Sequence, residues 1–174
     1  MKKLLTPAVF CLGIILSACS STGTVEEGTG SVEDRNVGAV TTVTPTSPRS
    51  AALAALRDPN SPLSKRSIYF DFDSYVVKPE FQSLVQAHGR FLAQNPDFKV
   101  LIQGNADERG SREYNLALGQ KRAEAVKNAL LTFGAREDQV EAVSLGEEKP
   151  ICTDRTEECY AQNRRADILY SGEF

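Results

Sequence analysis

The sequence predicts an α/β (α+β) sandwich over residues 63–174: a mixed four-stranded sheet with two helices on one face, in the order β-α-β-α-β-β. Three observations predict it. Ile68, Phe70 and Phe72, and later Ala166, Ile168 and Tyr170, alternate with polar neighbours at the period of a strand with one buried face. Two longer segments repeat apolar residues at three- and four-residue spacing, as amphipathic helices do. Turn-forming residues separate these segments at regular intervals, and a sheet covered by two helices is the economical way to bury both patterns.

The elements follow in order. Residues 67–72 form the first strand. Pro79 suits a first helical turn, where its missing N–H costs nothing, and Phe81, Leu84, Val85, His88, Phe91 and Leu92 recur at helical spacing until Asn95-Pro96 stops the run. Residues 98–103 are a second strand, joined to the first by a right-handed crossover that makes the two parallel and brings their carboxyl ends to one edge. Ser111 is an N-cap with Glu113 in the first turn, where a carboxylate complements the helix dipole. From there Leu116, Gly119, Ala123, Val126, Leu130 and Phe133 make a buried stripe, and Gly134 ends the helix. Residues 140–145 and 166–170 complete the sheet, separated by a loop with a short helix near its end.

The chain before this domain has a different character. Residues 1–18 read as a signal peptide: Lys2 and Lys3 form a basic start and residues 4–16 an apolar run, too short and too interrupted by Thr6 and Pro7 to span a bilayer. Leu16-Ser17-Ala18-Cys19 resembles the bacterial lipobox, in which the cysteine takes a diacylglyceryl group and becomes the first residue. Two or three acyl chains give lasting membrane attachment where one does not. Residues 19–62 are rich in Ser, Thr, Gly and Pro and read as that lipidated cysteine and a flexible tether, within which residues 50–56 suit a brief helix too short to stand alone.

Composition excludes some functions. Without Lys2 and Lys3 the chain carries 18 basic against 23 acidic residues, so nucleic acid is not an expected partner. Cys152 and Cys159 are an even pair in an exported chain, which reads as a disulfide closing a short loop, with two free thiols as the alternative. No metal site and no cofactor are expected. The single histidine, His88, falls in an apolar helical stripe and reads as a half-buried structural residue without a nucleophile partner. The adjacent carboxylates, such as Glu147-Glu148 and Glu157-Glu158, suit a solvated surface rather than a spaced catalytic pair.

Binding fits better than catalysis. The edge where the first two strands end collects Phe72, Asp73, the loop bearing Asp107 and Arg109, and the start of the next helix, and ligands of α/β sheets commonly sit at such an edge. Asn115, Leu118 and Arg122 share one side of that helix, at the border of its buried stripe. A part-shielded arginine can hold a carboxylate with two hydrogen bonds, while Asp107 offers the opposite charge to an ammonium. Together they suit a zwitterion; alternatively the two pair with each other and fix the loop. Residues 111–122 span roughly 16 Å of helix, so the loop must fold back for Asp107 and Arg122 to converge.

The segment GNADERGSREYNLALGQKRAEAV, residues 104–126, resembles the central signature of OmpA-like peptidoglycan-binding domains. YFDFDSY, SLGEEKP and NRRADILY are similar to other parts of that family, so the resemblance covers about residues 65–174. The lipobox and tether resemble its lipid-anchored members. The resemblance implies a non-catalytic protein that binds the diaminopimelate of the peptidoglycan stem peptide and ties the outer membrane to the cell wall from the periplasmic side, in envelope integrity and cell division. It implies Asp107 as the ammonium receiver and Arg122 as the carboxylate receiver, with Phe72, Asp73, Arg109 and Leu118, and also Ala106 and Ser111, lining the groove. It implies the Tol proteins as partners, with TolB near the same groove. Asn105 stands where many relatives carry histidine, and the cysteine pair is not a general family feature. The alternative is an enzyme that cleaves or modifies peptidoglycan in the same groove.

Overall fold

The computed structural model describes residues 47–171, so the signal peptide, Cys19 and the tether up to residue 46 lie outside the described residues. From Pro48 onward the segment expected as tether is folded. Helix α1 (Pro48–Arg57) is capped by the Ser47 hydroxyl, which accepts from the Ser50 amide, and it buries Ala52 and Leu56 in the main core. A ten-residue helix is marginal alone. Here the Arg66 guanidinium donates to the Leu56 carbonyl at 3.2 Å, and Arg49 lies over the Phe98 ring at 5.3 Å, which holds both ends of α1 to the domain.

Strands β1 (Ser67–Tyr69), β2 (Val100–Asn105), β3 (Val140–Gly146) and β4 (Arg165–Tyr170) form one sheet in the order β1-β4-β2-β3. β4 is antiparallel to both β1 and β2, so β1 and β2 are parallel although β4 separates them, and β3 lies parallel to β2. The carboxyl ends of β1, β2 and β3 therefore share one edge, together with the amino end of β4. β1 is shorter than expected because the chain leaves the sheet after Phe70, whose amide still reaches the Arg164 carbonyl at 2.9 Å, and then turns through Asp73 at φ 51°.

Helices α2 (Pro79–Gln94) and α3 (Arg112–Thr132) cover one face, as the periodicity predicts, and α4 (Glu157–Asn163) is the short helix before β4. Ile102 and Ile168, paired across β2 and β4, are fully buried with Ile68 of β1, Leu92 of α2 and Leu130 of α3. Each such side chain contributes roughly 2 kcal/mol by leaving water.

Two expectations are corrected. His88 is fully buried rather than half-buried: Nε2 faces the Lys65 carbonyl at 2.9 Å and Nδ1 the Tyr170 hydroxyl at 2.9 Å. Leu116 is 51 % exposed, and the buried stripe of α3 instead runs through Asn115, Leu118, Gly119, Arg122, Ala123, Val126 and Leu130. α3 is rotated so that its polar residues Asn115 and Arg122 face inward over the ends of the strands. The rotation is set where α3 meets β2 at Gly119 and Gly104. A Cβ on Gly104 would lie 1.8 Å from the Gly119 carbonyl oxygen, so backbone touches backbone there.

Candidate functional site

The site lies where the strands end. Phe72 and Asp73 follow β1, Ala106, Asp107, Arg109 and Gly110 follow β2, and Tyr114, Asn115, Leu118 and Arg122 come from the first turns of α3. With Arg164 at the mouth of β4 they enclose a cavity of about 220 Å³. Seven of the eight residues expected in the groove line it. The eighth, Ser111, is the N-cap of α3, its hydroxyl accepting from the Tyr114 amide at 3.2 Å.

Asp107 and Arg122 line one cavity without pairing. Asp107 is 4 % exposed and accepts from the Arg109 amide at 3.1 Å, from Arg109 Nε at 3.3 Å and Nη2 at 2.7 Å, and from Arg164 Nη1 at 3.1 Å. Burial by itself would raise its pKa; hydrogen bonds from Arg109 and then Arg164 outweigh this and hold the carboxylate below its ordinary value. Arg122 is fully buried, and its guanidinium donates to three backbone carbonyls: Ser74 at 2.8 Å, Asn105 at 2.8 Å and Asp71 at 3.2 Å. Desolvation pulls its pKa down to about 10, with Asp107 opposing, so it stays cationic near neutral pH. Three bonds leave donor capacity on a group that has five N–H bonds.

The two residues converge through the helix more than through the loop. α3 runs back over β2, placing Gly119 on Gly104, and helical side chains lean toward the amino end, so Arg122 reaches up to the Asn105 carbonyl beside Asp107. Gly110, at φ 108°, turns the chain from loop into helix. That geometry spans the roughly 16 Å of helix.

Around this centre the charges interlock. Glu157, at the start of α4, meets Arg109 Nη1 at 3.0 Å through one oxygen and Arg164 Nη2 at 2.8 Å through the other. Arg164 Nε donates to the Phe70 carbonyl at 3.2 Å. Tyr114 donates its hydroxyl hydrogen bond to Asp73, and Asn115 donates to Glu147. Cys152 and Cys159 are bonded, with Cα atoms 5.3 Å apart, closing the segment that leads into α4. Among the described residues no group of three His, Cys, Asp or Glu side chains is arranged to hold a metal.

Sequence reasoning placed Asn115 beside Arg122 but did not make it part of the groove, and it missed Gly110, Tyr114 and Arg164. The signal for Arg164 was the Asn163-Arg164-Arg165 run before an antiparallel strand: the amino end of such a strand lies at the carboxyl edge of its neighbours.

The model of the OmpA family matches residues 69–164, which include every cavity residue. The chain is 47 % identical over 104 residues to the peptidoglycan-associated lipoprotein of Pasteurella multocida, covering 60 % of this chain and 69 % of that one. It is 39 % identical over 150 residues to the peptidoglycan-associated lipoprotein of Pseudomonas putida, covering 86 % of each. Among solved structures it is similar to the peptidoglycan-associated lipoprotein of Burkholderia pseudomallei, with 59 % identity, a TM-score of 0.67, and coverage of 67 % of this chain and 99 % of that one. The C-terminal domain of Helicobacter pylori MotB shares the fold at 19 % identity and a TM-score of 0.57, over 62 % of this chain and 84 % of that domain.

Proposed function

From the premise that the chain belongs to the OmpA family and, within it, to the peptidoglycan-associated lipoproteins, we propose that it binds the peptide stem of peptidoglycan through the zwitterionic end of diaminopimelate. The observation that carries this reading is the 220 Å³ cavity, which a buried carboxylate and three guanidiniums line together. Diaminopimelate ends in an ammonium and a carboxylate on one carbon. Asp107 receives the ammonium, and Arg122, with its unused donors, receives the carboxylate; Phe72 and Leu118 pack on the aliphatic stem.

Among the described residues no helix is long and apolar enough to cross a membrane. Attachment to the outer membrane is assigned to acyl chains on Cys19, so that the protein ties membrane to wall without catalysing a reaction. The Tol proteins, TolB near this groove, are the partners that family membership suggests, in envelope integrity and cell division. Membrane confinement and a repetitive polymer together raise avidity above the affinity of one site.

The test is co-sedimentation of the protein with insoluble peptidoglycan containing diaminopimelate or, in its place, lysine, which has the ammonium but lacks the carboxylate. Binding to the first only is expected, with a loss of at least tenfold in Asp107→Asn and Arg122→Lys, the scale of one charge-assisted hydrogen bond. Equal binding to both polymers would refute the zwitterion reading. Soluble fragments released from the polymer would instead favour the enzyme.

A further inference from the structure

Asp107 has no room for another donor. A carboxylate offers about four lone-pair directions, and Oδ1 takes the Arg109 amide and Nε while Oδ2 takes Arg109 Nη2 and Arg164 Nη1. An ammonium can reach Asp107 only if one of these leaves. The Arg109 amide belongs to the loop backbone. Arg164, with a side chain 7 % exposed, is held from two further sides by the Phe70 carbonyl and Glu157. The Arg109 side chain is 34 % exposed and covers the carboxylate from the solvent side.

That guanidinium also has a second place to rest. It lies 4.3 Å from the Phe72 ring centre and 4.5 Å from that of Tyr160, and its Nη1 is already 3.0 Å from Glu157, a carboxylate 59 % exposed. A shift away from Asp107 keeps an anion and two aromatic faces around the charge, so the movement leaves no cation stranded.

We propose that Arg109 is a displaceable plug: its guanidinium occupies the place on Asp107 that a ligand ammonium takes, and binding moves it onto Glu157 between the Phe72 and Tyr160 rings. This deepens the zwitterion reading and rests on it. The plug makes the site selective, because a ligand must bring an ammonium able to replace a guanidinium on Asp107, and its carboxylate meets the arginines that remain. A purely anionic ligand has no use for Asp107 and leaves the plug in place.

The experiment is calorimetric titration of the protein and Arg109→Ala with meso-diaminopimelate and with pimelate, which keeps both end carboxylates but lacks both ammonium groups. With the competing cation gone, Arg109→Ala is expected to bind meso-diaminopimelate roughly tenfold tighter, the relief of a closed-state penalty, and pimelate no tighter than before. Glu157→Gln, which takes away the charge at the resting place, is expected to weaken meso-diaminopimelate binding and serves as the independent arm if Arg109→Ala folds poorly. Equal or weaker binding of meso-diaminopimelate by folded Arg109→Ala, or an equal gain for pimelate, overturns the plug while leaving the site intact. Absence of meso-diaminopimelate binding in the parent and all variants overturns the site reading itself.

Discussion

His88 shows how a polar residue can sit inside this core at little cost. Facing a carbonyl, Nε2 must carry the proton, so Nδ1 is the acceptor for the Tyr170 hydroxyl, and both ring nitrogens are satisfied in the neutral form. Burial, opposed by the Lys65 carbonyl, pushes the pKa down from 6.5 to about 4. Between those values the unfolded chain binds the proton and the folded chain does not, so stability is full above pH 6.5 and falls as the pH drops toward 4, by about 3 kcal/mol. Thermal unfolding midpoints measured across that window should fall more steeply in the parent than in His88→Phe; parallel slopes would remove the histidine from the account. Position and helical spacing made His88 legible as a structural residue. Its degree of burial was not, because that depends on Lys65 and Tyr170, which lie 23 and 82 residues away in the chain.

At the scale of elements, the site depends on how closely α3 approaches the sheet. A Cβ on Gly119 would meet the Ser144 hydroxyl at 2.3 Å and the Gly104 carbonyl oxygen at 2.8 Å. The contact is with backbone on one side, which cannot move aside as a flexible side chain can. Gly119→Ala is therefore expected to destabilise the domain by about 2–3 kcal/mol despite its better helix propensity, read as a lowered urea midpoint. It also pushes α3 outward, so binding to peptidoglycan should weaken with it; an unchanged midpoint would show that α3 can shift away from β2 without loss of packing. The apolar repeat made α3 legible as an element. The repeat left its rotation open, because Leu116 and Leu118 both fit a stripe and the glycine contact, not hydrophobicity, chooses between them. Gln139 belongs to the same class: its buried amide ties the Leu92, Asn95 and Phe98 carbonyls at the end of α2, a role with no periodic signature.

At the scale of the whole molecule, the described residues begin at Ser47, and 27 residues lie between Cys19 and that point. A chain of that length reaches at most roughly 95 Å at about 3.5 Å per residue, which bounds the distance from the anchor to the domain. Intact-mass analysis of the mature protein from membranes should find diacylglyceryl and fatty acyl additions on Cys19; an unmodified mass would separate the domain from the membrane. Because α1 is packed into the core through Ala52 and Leu56, a variant cut back to residue 63 is a poorer test object than one beginning at Ser47.

The sequence by itself determined the class of fold, the order of its strands and helices, the family and most of the residues that line the cavity, because period-two and helical repeats, caps and a long signature are local properties of the chain. Asp107 and Arg122 were readable as candidates for the cavity lining for the same reason. Apart from Arg109, two residues along the chain from Asp107, their partners were decided only by the tertiary structure. The second arginine on Asp107, Arg164, the carbonyls that hold Arg122, and the way Glu157 joins Arg109 to Arg164 follow from strand order, which brings the amino end of β4 to the edge where β1 and β2 finish. Residues 57 apart in the chain meet there, and no spacing rule reaches that far.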